Sequence, residues 1–369
     1  MAEAPRLSSA SALRLRMAAL LLAPGAETAP TTVAGVVTHL GAMQAQDNGS
    51  GLWSLGSRLP GATQDDVTAA LERREALRTW PMRGTVPLVP SRDAHRMLEL
   101  TGVRALAGAA RRREFLGLSQ ADADRAVDVL GEALAGGGRL TRAQCLAALE
   151  AAGLHLDGNL GYHLLWYASQ RGVTAIAPHV GTEQTFVLLD EWVPDPVVLD
   201  RDEALATLTT RYFRSHGPTT VKDFAGWTGL TMTDAKRGIA LAGETLGSAE
   251  LDGAVVHLDP ALLEAELAGT LPEPERDLLA LPGFDEYLLG YKDRSLMLDP
   301  GDLQAVVPGS NGMFRATLVR GGRVIATWTR TLTTRRVTVT PIPLAPVRAK
   351  DRTAVEAALA PYAHFLGRE

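Results

Sequence analysis

From Thr219 to Ala240 the chain reads TTVKDFAGWTGLTMTDAKRGIA. A threonine that can cap a helix opens the stretch, and apolar side chains then recur at helical spacing from Val221 to Trp227. Gly229 supplies a turn, and Thr233 to Leu241 resumes the helical pattern. Two short helices joined by a glycine-containing turn predict a helix-turn-helix. The same opening, a threonine followed by an apolar pattern, occurs twice upstream, in TTVAGVVTHLG from Thr31 and in LTRAQCLAALEAAG from Leu140. After the second copy, Gly172 to Ile176 and Gln184 to Leu189 read as two strands of a small hairpin. Helix-turn-helix plus hairpin is the winged-helix arrangement. Unrelated helical hairpins in an α-rich chain would leave the same pattern.

Working outward, further helices are expected over Ser11 to Leu22, Thr31 to Met43, Asp65 to Thr79, Arg92 to Gly102 and Gln120 to Ala135. Met82 to Val89 reads as a strand, and Gly136, Gly137 and Gly138 mark a break. The last hundred residues change character. Met313 to Val319, Arg323 to Thr329 and Arg335 to Thr340 are rich in β-branched residues, and Gly321-Gly322 forms a tight turn between the first two. A helix from Arg352 to Leu366 closes the chain.

The 369 residues are enough for two or three domains with a sizeable core. Cys145 is the only cysteine, which excludes an internal disulfide framework and a cysteine-based zinc site. Met17 to Ala23 is an apolar run of seven residues, read as part of an amphipathic first helix and not as a leader. No apolar stretch approaches the roughly 18 residues that span a bilayer. The net charge of −5 argues against a tail-driven nucleic-acid binder, but the charge is unevenly spread. Glu244 to Asp302 carries −11, whereas Arg73 to Arg113 carries +7 and Arg315 to Arg352 carries +8. Two such basic blocks suit a phosphate-binding surface if the fold joins them, or two solvated faces if it does not.

Common catalytic signatures are missing: there is no phosphate-binding G-x-x-x-x-G-K-[ST], no G-x-G-x-x-G after a strand, no H-E-x-x-H and no G-x-S-x-G. His155 and His163, the closest histidine pair, are read as packing or solvated groups and not as metal ligands. Asp285-Glu286 would project to opposite faces of a strand, so no acid/base pair is expected there. Met43-Gln44-Ala45-Gln46-Asp47 follows the second helix. As a short strand it would present the Gln44 and Gln46 amides side by side; as a helix end it would leave two exposed glutamines.

Taken together, LGAMQAQDNGSGLWSLGSR, RTWPMRGTVPLVP, HLLWYASQRG, RYFRSHGPTTVKDFAGWTGL, LPGFDEYLLGYKDRS and FRATLVRGGRVIATW resemble one family. It is the winged-helix DNA glycosylases of the azinomycin-resistance type, matched from about residue 10 to 345. The resemblance implies an α+β, mainly α fold, with three tandem winged-helix units in a C shape and a C-terminal β-barrel-like module. Boundaries are expected at 1–128, 129–200, 201–268 and 269–369. It implies a DNA glycosylase that excises alkylated purines from double-stranded DNA and unhooks interstrand crosslinks in some members. The two catalytic glutamines fall on Gln44 and Gln46; a sister branch has Gln-x-Asp.

The chemistry suits amides. Alkylation at N7 or N3 makes the purine cationic and a good leaving group, so no general acid is needed. Two glutamines can hold a water and stabilise an oxocarbenium-like sugar without ionising. No lysine lies near them in sequence, which favours water as the nucleophile. DNA contacts are expected from Arg83, Arg335 and Arg336. A cytoplasmic monomer without cofactor, metal or membrane partner is expected. A non-enzymatic winged-helix regulator, or a protein that sequesters a toxin, would be the alternatives.

Overall fold

The threonine-capped helices are all present. In the computed structural model, which describes residues 4–25, 27, 29–273, 278–310, 312–333, 336–345 and 351–368, Thr32, Thr141 and Thr220 each cap a helix. Thr141 and Thr220 do so as reciprocal capping boxes with Gln144 and Asp223, each pair satisfying two backbone N–H groups that the helix leaves open. Helix Val221–Thr228 ends at Gly229, whose φ of 76° suits a residue without a Cβ, and helix Met232–Ala242 follows with Thr231 as its cap. The antiparallel pair Gly247–Leu251 and Ala254–Leu258, not anticipated from sequence, comes directly after.

The chain divides into two compact units. Thr68–Ala204 forms one; Met1–Val67 and Leu205–Glu369 form the other. In the first, antiparallel strands run in the order Pro87–Pro90, Ala76–Arg78, Thr174–Val180, Glu183–Leu188 and Arg139–Thr141. Helices Gln120–Leu134, Arg142–Ala151 and Leu160–Gln170 contribute to its core, in which Leu130, Leu149, Leu164 and Phe186 are buried.

Two local expectations change here. The helix from Gln64 stops at Glu72, because Arg74 takes a left-handed backbone that ends it, and Ala76–Arg78 becomes a strand. Met82 to Val89 is not one strand. Arg83 (φ 53°) and Gly84 (φ 70°) form a 3₁₀ turn that a pleated chain cannot contain, and the strand covers only Pro87–Pro90.

In the other unit, four antiparallel strands run in the order Val337–Pro343, Arg323–Leu332, Ala316–Arg320 and Leu278–Leu281. The barrel implied by the resemblance is not closed among the described residues. The outer strand carries Pro341 and Pro343, which have no N–H to extend a ladder. Helix Asp351–Phe365 packs against the sheet instead, with the Tyr362 ring 5.2 Å from both Trp53 and Trp328. Trp53 Nε1 donates to the Ala280 carbonyl at 3.0 Å. This clamp fixes helix Asn48–Gly56, and with it the Gln44–Gln46 segment.

Candidate functional site

Met43–Gln44 is a strand of only two residues, because the chain enters a helix almost at once. Asp47 caps helix Asn48–Gly56, accepting from the Ser50 N–H at 2.8 Å. Gly51 of that helix lies so close that a Cβ there would stand 2.7 Å from the Ala45 Cβ. The two glutamines therefore do not share a strand face. Gln44 is 9% exposed, and its Oε1 accepts from the Ala45 N–H at 3.1 Å; Gln46 lies in the bend beyond and is exposed.

The backbone of Gln44 is held from below. Its N–H donates to Glu286 Oε1 at 2.8 Å. Glu286 is 3% exposed, and its Oε2 accepts from Trp227 Nε1 at 2.9 Å, with His216 Nε2 at 3.4 Å. The His216 ring stacks on Tyr212 at 4.6 Å and shares a hydrogen bond with the Ser215 hydroxyl. Gly290 makes room for it, since a Cβ there would lie 2.4 Å from the imidazole.

The neighbouring carboxylate serves a separate network. Asp285 caps the short helix Glu286–Leu289, so neither acid lies on a strand. Asp285 receives Arg58 bidentately, at 2.8 and 2.9 Å, together with the Ser54 hydroxyl and the Tyr287 N–H at 2.9 Å each. Burial pushes its pKa up, but Arg58 and these donors outweigh that and hold the carboxyl below the usual carboxylate range. Sequence reasoning missed both acids as supports. Their signal was Asp-Glu ahead of the apolar Tyr-Leu-Leu, a helix-cap pattern read as a strand.

It also missed Arg330. From strand Arg323–Leu332 this half-buried side chain places Nη2 3.8 Å from Asp47 Oδ2 and its guanidinium over the Tyr362 ring at 5.6 Å. A Cβ at Gly49 would meet the same guanidinium at 2.7 Å, so a cation borders the Gln46–Asp47 bend.

The expected DNA contacts fall in two different units. Arg336 is exposed at the hairpin tip, its N–H donating to the Thr333 hydroxyl at 3.0 Å, while Arg335 lies outside the described residues. Arg83 is exposed in its turn and belongs to the Thr68–Ala204 unit. Among the described residues no group of three or more His, Cys, Asp or Glu could hold a metal ion, and no helix is long and apolar enough to cross a membrane. His163 is a packed group, stacked on Trp166 at 5.3 Å. Burial, then Arg113 and Arg112, push its pKa down to about 4.

Comparison with known proteins agrees with this architecture. A family model described as DNA glycosylase AlkZ-like matches residues 37–365. A curated interstrand DNA cross-link repair glycosylase of Streptomyces sahachiroi is 27% identical over 355 residues, covering 88% of this chain and 90% of that protein. The solved structure of Streptomyces sahachiroi DNA glycosylase AlkZ superposes with a TM-score of 0.78 at 24% identity, over 98% of each chain, which shows a shared mixed α/β fold.

Proposed function

The chain belongs to the AlkZ-like DNA glycosylase family, and we propose that this DNA glycosylase hydrolyses the N-glycosidic bond of alkylated purines through Gln44 and Gln46. Bulky N7-guanine and N3-adenine adducts are the substrates, together with interstrand crosslinks, for which the Streptomyces relative is named. The observation that carries the reading is the asymmetry of the two amides: Gln44 is buried and anchored to a buried carboxylate, and Gln46 stands exposed two residues beyond.

That asymmetry suggests a division of work. Exposed Gln46 orients the attacking water. Gln44, held through Glu286, fixes the peptide and lends a carbonyl dipole to the cationic sugar. A preset dipole needs no reorganisation as the charge develops. The departing purine already carries positive charge, so it leaves without protonation, and water completes the reaction without an enzyme-bound intermediate. The enzyme acts as a monomer in the cytoplasm without cofactor, and Arg83, Arg335 and Arg336 contact duplex DNA.

The reading keeps three tandem winged-helix segments, 1–128, 129–200 and 201–268, ahead of a β-rich module at 269–369, whereas the compact units divide at 67/68 and 204/205 and residue 128 falls within helix Gln120–Leu134. Helices Val221–Thr228 and Met232–Ala242 with the Gly247–Leu258 hairpin support the third, and helices Arg142–Ala151 and Leu160–Gln170 with the Thr174–Leu188 hairpin support the second.

The test is single-turnover release of N7-alkylguanine from duplex DNA. Gln44→Ala and Gln46→Ala are each expected to abolish it while leaving the circular dichroism spectrum unchanged. Full activity in both would sink the assignment. Because neither amide titrates, release of a cationic base is expected to show no bell-shaped pH dependence.

A further inference from the structure

The Thr68–Ala204 unit contains a cavity of about 590 Å³, within the roughly 300–1,000 Å³ of small-molecule sites. Two helices and a turn build it. Ala105, Gly108, Ala109 and Arg112 recur at helical spacing along Val103–Phe115 and line one wall. Tyr162, His163 and Trp166 line a second from helix Leu160–Gln170, and Arg83 and Gly84 close a third from the turn.

Each wall offers a different kind of contact. Arg83 and Arg112 bring two guanidiniums to one opening, a pair suited to phosphate oxygens. Tyr162 and Trp166 bring aromatic rings to it, the Arg142 guanidinium also lying over the Tyr162 ring at 5.6 Å. The Tyr162 ring stands edge-on to Trp80 at 6.3 Å, which orients it, and Trp166 is braced by the His163 ring. His163 is 6% exposed, and its Nε2 has no hydrogen-bond partner among the described residues. A buried polar atom of this kind costs stability unless something pairs with it, so it points to a ligand bearing a hydrogen-bonding edge. Burial keeps the imidazole neutral near pH 7, able to meet such an edge without adding charge.

Arg83 itself holds a left-handed backbone, φ 53°, that non-glycine residues rarely adopt.

We propose that this cavity binds one unpaired nucleotide of a DNA strand, its base against Trp166 and Tyr162 with an edge on His163, and its phosphate on Arg83 and Arg112. Aromatic platforms beside a cationic groove are how proteins hold single-stranded DNA without reading sequence. The inference rests on the DNA-glycosylase reading and adds to it a place for an unpaired residue of DNA within the Thr68–Ala204 unit.

Two substitutions test it without disturbing the fold. Nothing lies within 4 Å of a Cβ at Gly108, so the side chain of Gly108→Leu starts in open space at the cavity wall. Arg83→Gly removes a cation while relieving the backbone. The probe is a short fluorescein-labelled thymidine oligonucleotide, followed by anisotropy. Wild type is expected to bind it, Gly108→Leu to bind about tenfold more weakly or worse, and Arg83→Gly to bind more weakly. Binding of the oligonucleotide by both variants at the wild-type level overturns the proposal. So does a wild type that does not bind the oligonucleotide at all. Base release by wild type from duplex carrying N7-methylguanine reports separately on the glycosylase reading, and its absence would leave the oligonucleotide result standing.

Discussion

Replacing Glu286 by glutamine conserves shape and removes one of two acceptor oxygens. The two carboxylate oxygens have separate duties: Oε1 receives the Gln44 N–H at 2.8 Å and Oε2 receives Trp227 Nε1 at 2.9 Å. A glutamine has one carbonyl oxygen, so whichever way the amide turns, an NH2 group faces one of these N–H donors. The residue is 3% exposed, so water cannot take over the lost bond, and an unsatisfied buried donor costs about 1–3 kcal/mol. The expected loss is therefore about 2 kcal/mol. If the amide keeps the Trp227 bond, the Gln44 backbone loses its anchor and base release falls with stability. Glu286→Ala, which removes both acceptors, is expected to be worse on both counts. Urea unfolding followed by circular dichroism gives the first quantity, and single-turnover release of N7-methylguanine gives the second. A Glu286→Gln protein with the wild-type unfolding midpoint and the wild-type rate would refute the claim that this carboxylate holds the Gln44–Gln46 segment in the arrangement the proposed reaction uses.

Other expectations follow from neighbouring contacts. Asp285→Ala leaves the Arg58 guanidinium buried without its counter-ion and is expected to cost about 3–5 kcal/mol by the same unfolding measurement. Gly51→Ala drives a methyl into Ala45, so it is expected to lower base release more than it lowers the melting temperature. His163 and His179, both with pKa lowered to about 4 mainly by burial, are neutral in the folded protein. The unfolded chain takes up more protons as pH falls from about 6.5 to 4, so stability is full above that window and declines through it, which unfolding at several pH values would show. Arg336→Ala is expected to reduce the slope of log affinity for duplex DNA against log salt by about 1, without changing sequence preference. Cys145 is buried and its thiol is pushed up to about 12, so a thiol reagent is expected to label it only on unfolding.

What the sequence alone determined was local. The threonine caps at 32, 141 and 220, the turn at Gly229 and the Gly321-Gly322 hairpin depend on backbone preferences and hydrogen bonds among near neighbours, so a few adjacent residues decide them. Gln44 and Gln46 were singled out because a chain-long resemblance carried them, whereas their residue types alone favoured two exposed amides at a helix end. Only the tertiary structure decided their surroundings. Glu286 lies 242 residues from Gln44 in the chain, and Arg330 comes from a distant strand to the Asp47 bend. No periodicity records such pairings, because they exist only once the chain has closed. Local signals also failed where a long-range demand prevailed. The left-handed Arg83 turns the chain inside an apparent strand, and helix Asn48–Gly56, clamped by Trp53 against the C-terminal sheet and helix, cuts the Gln44 strand to two residues. That shortening separates one buried amide from one exposed amide, a distinction no one-dimensional pattern carries, since burial belongs to the packed chain.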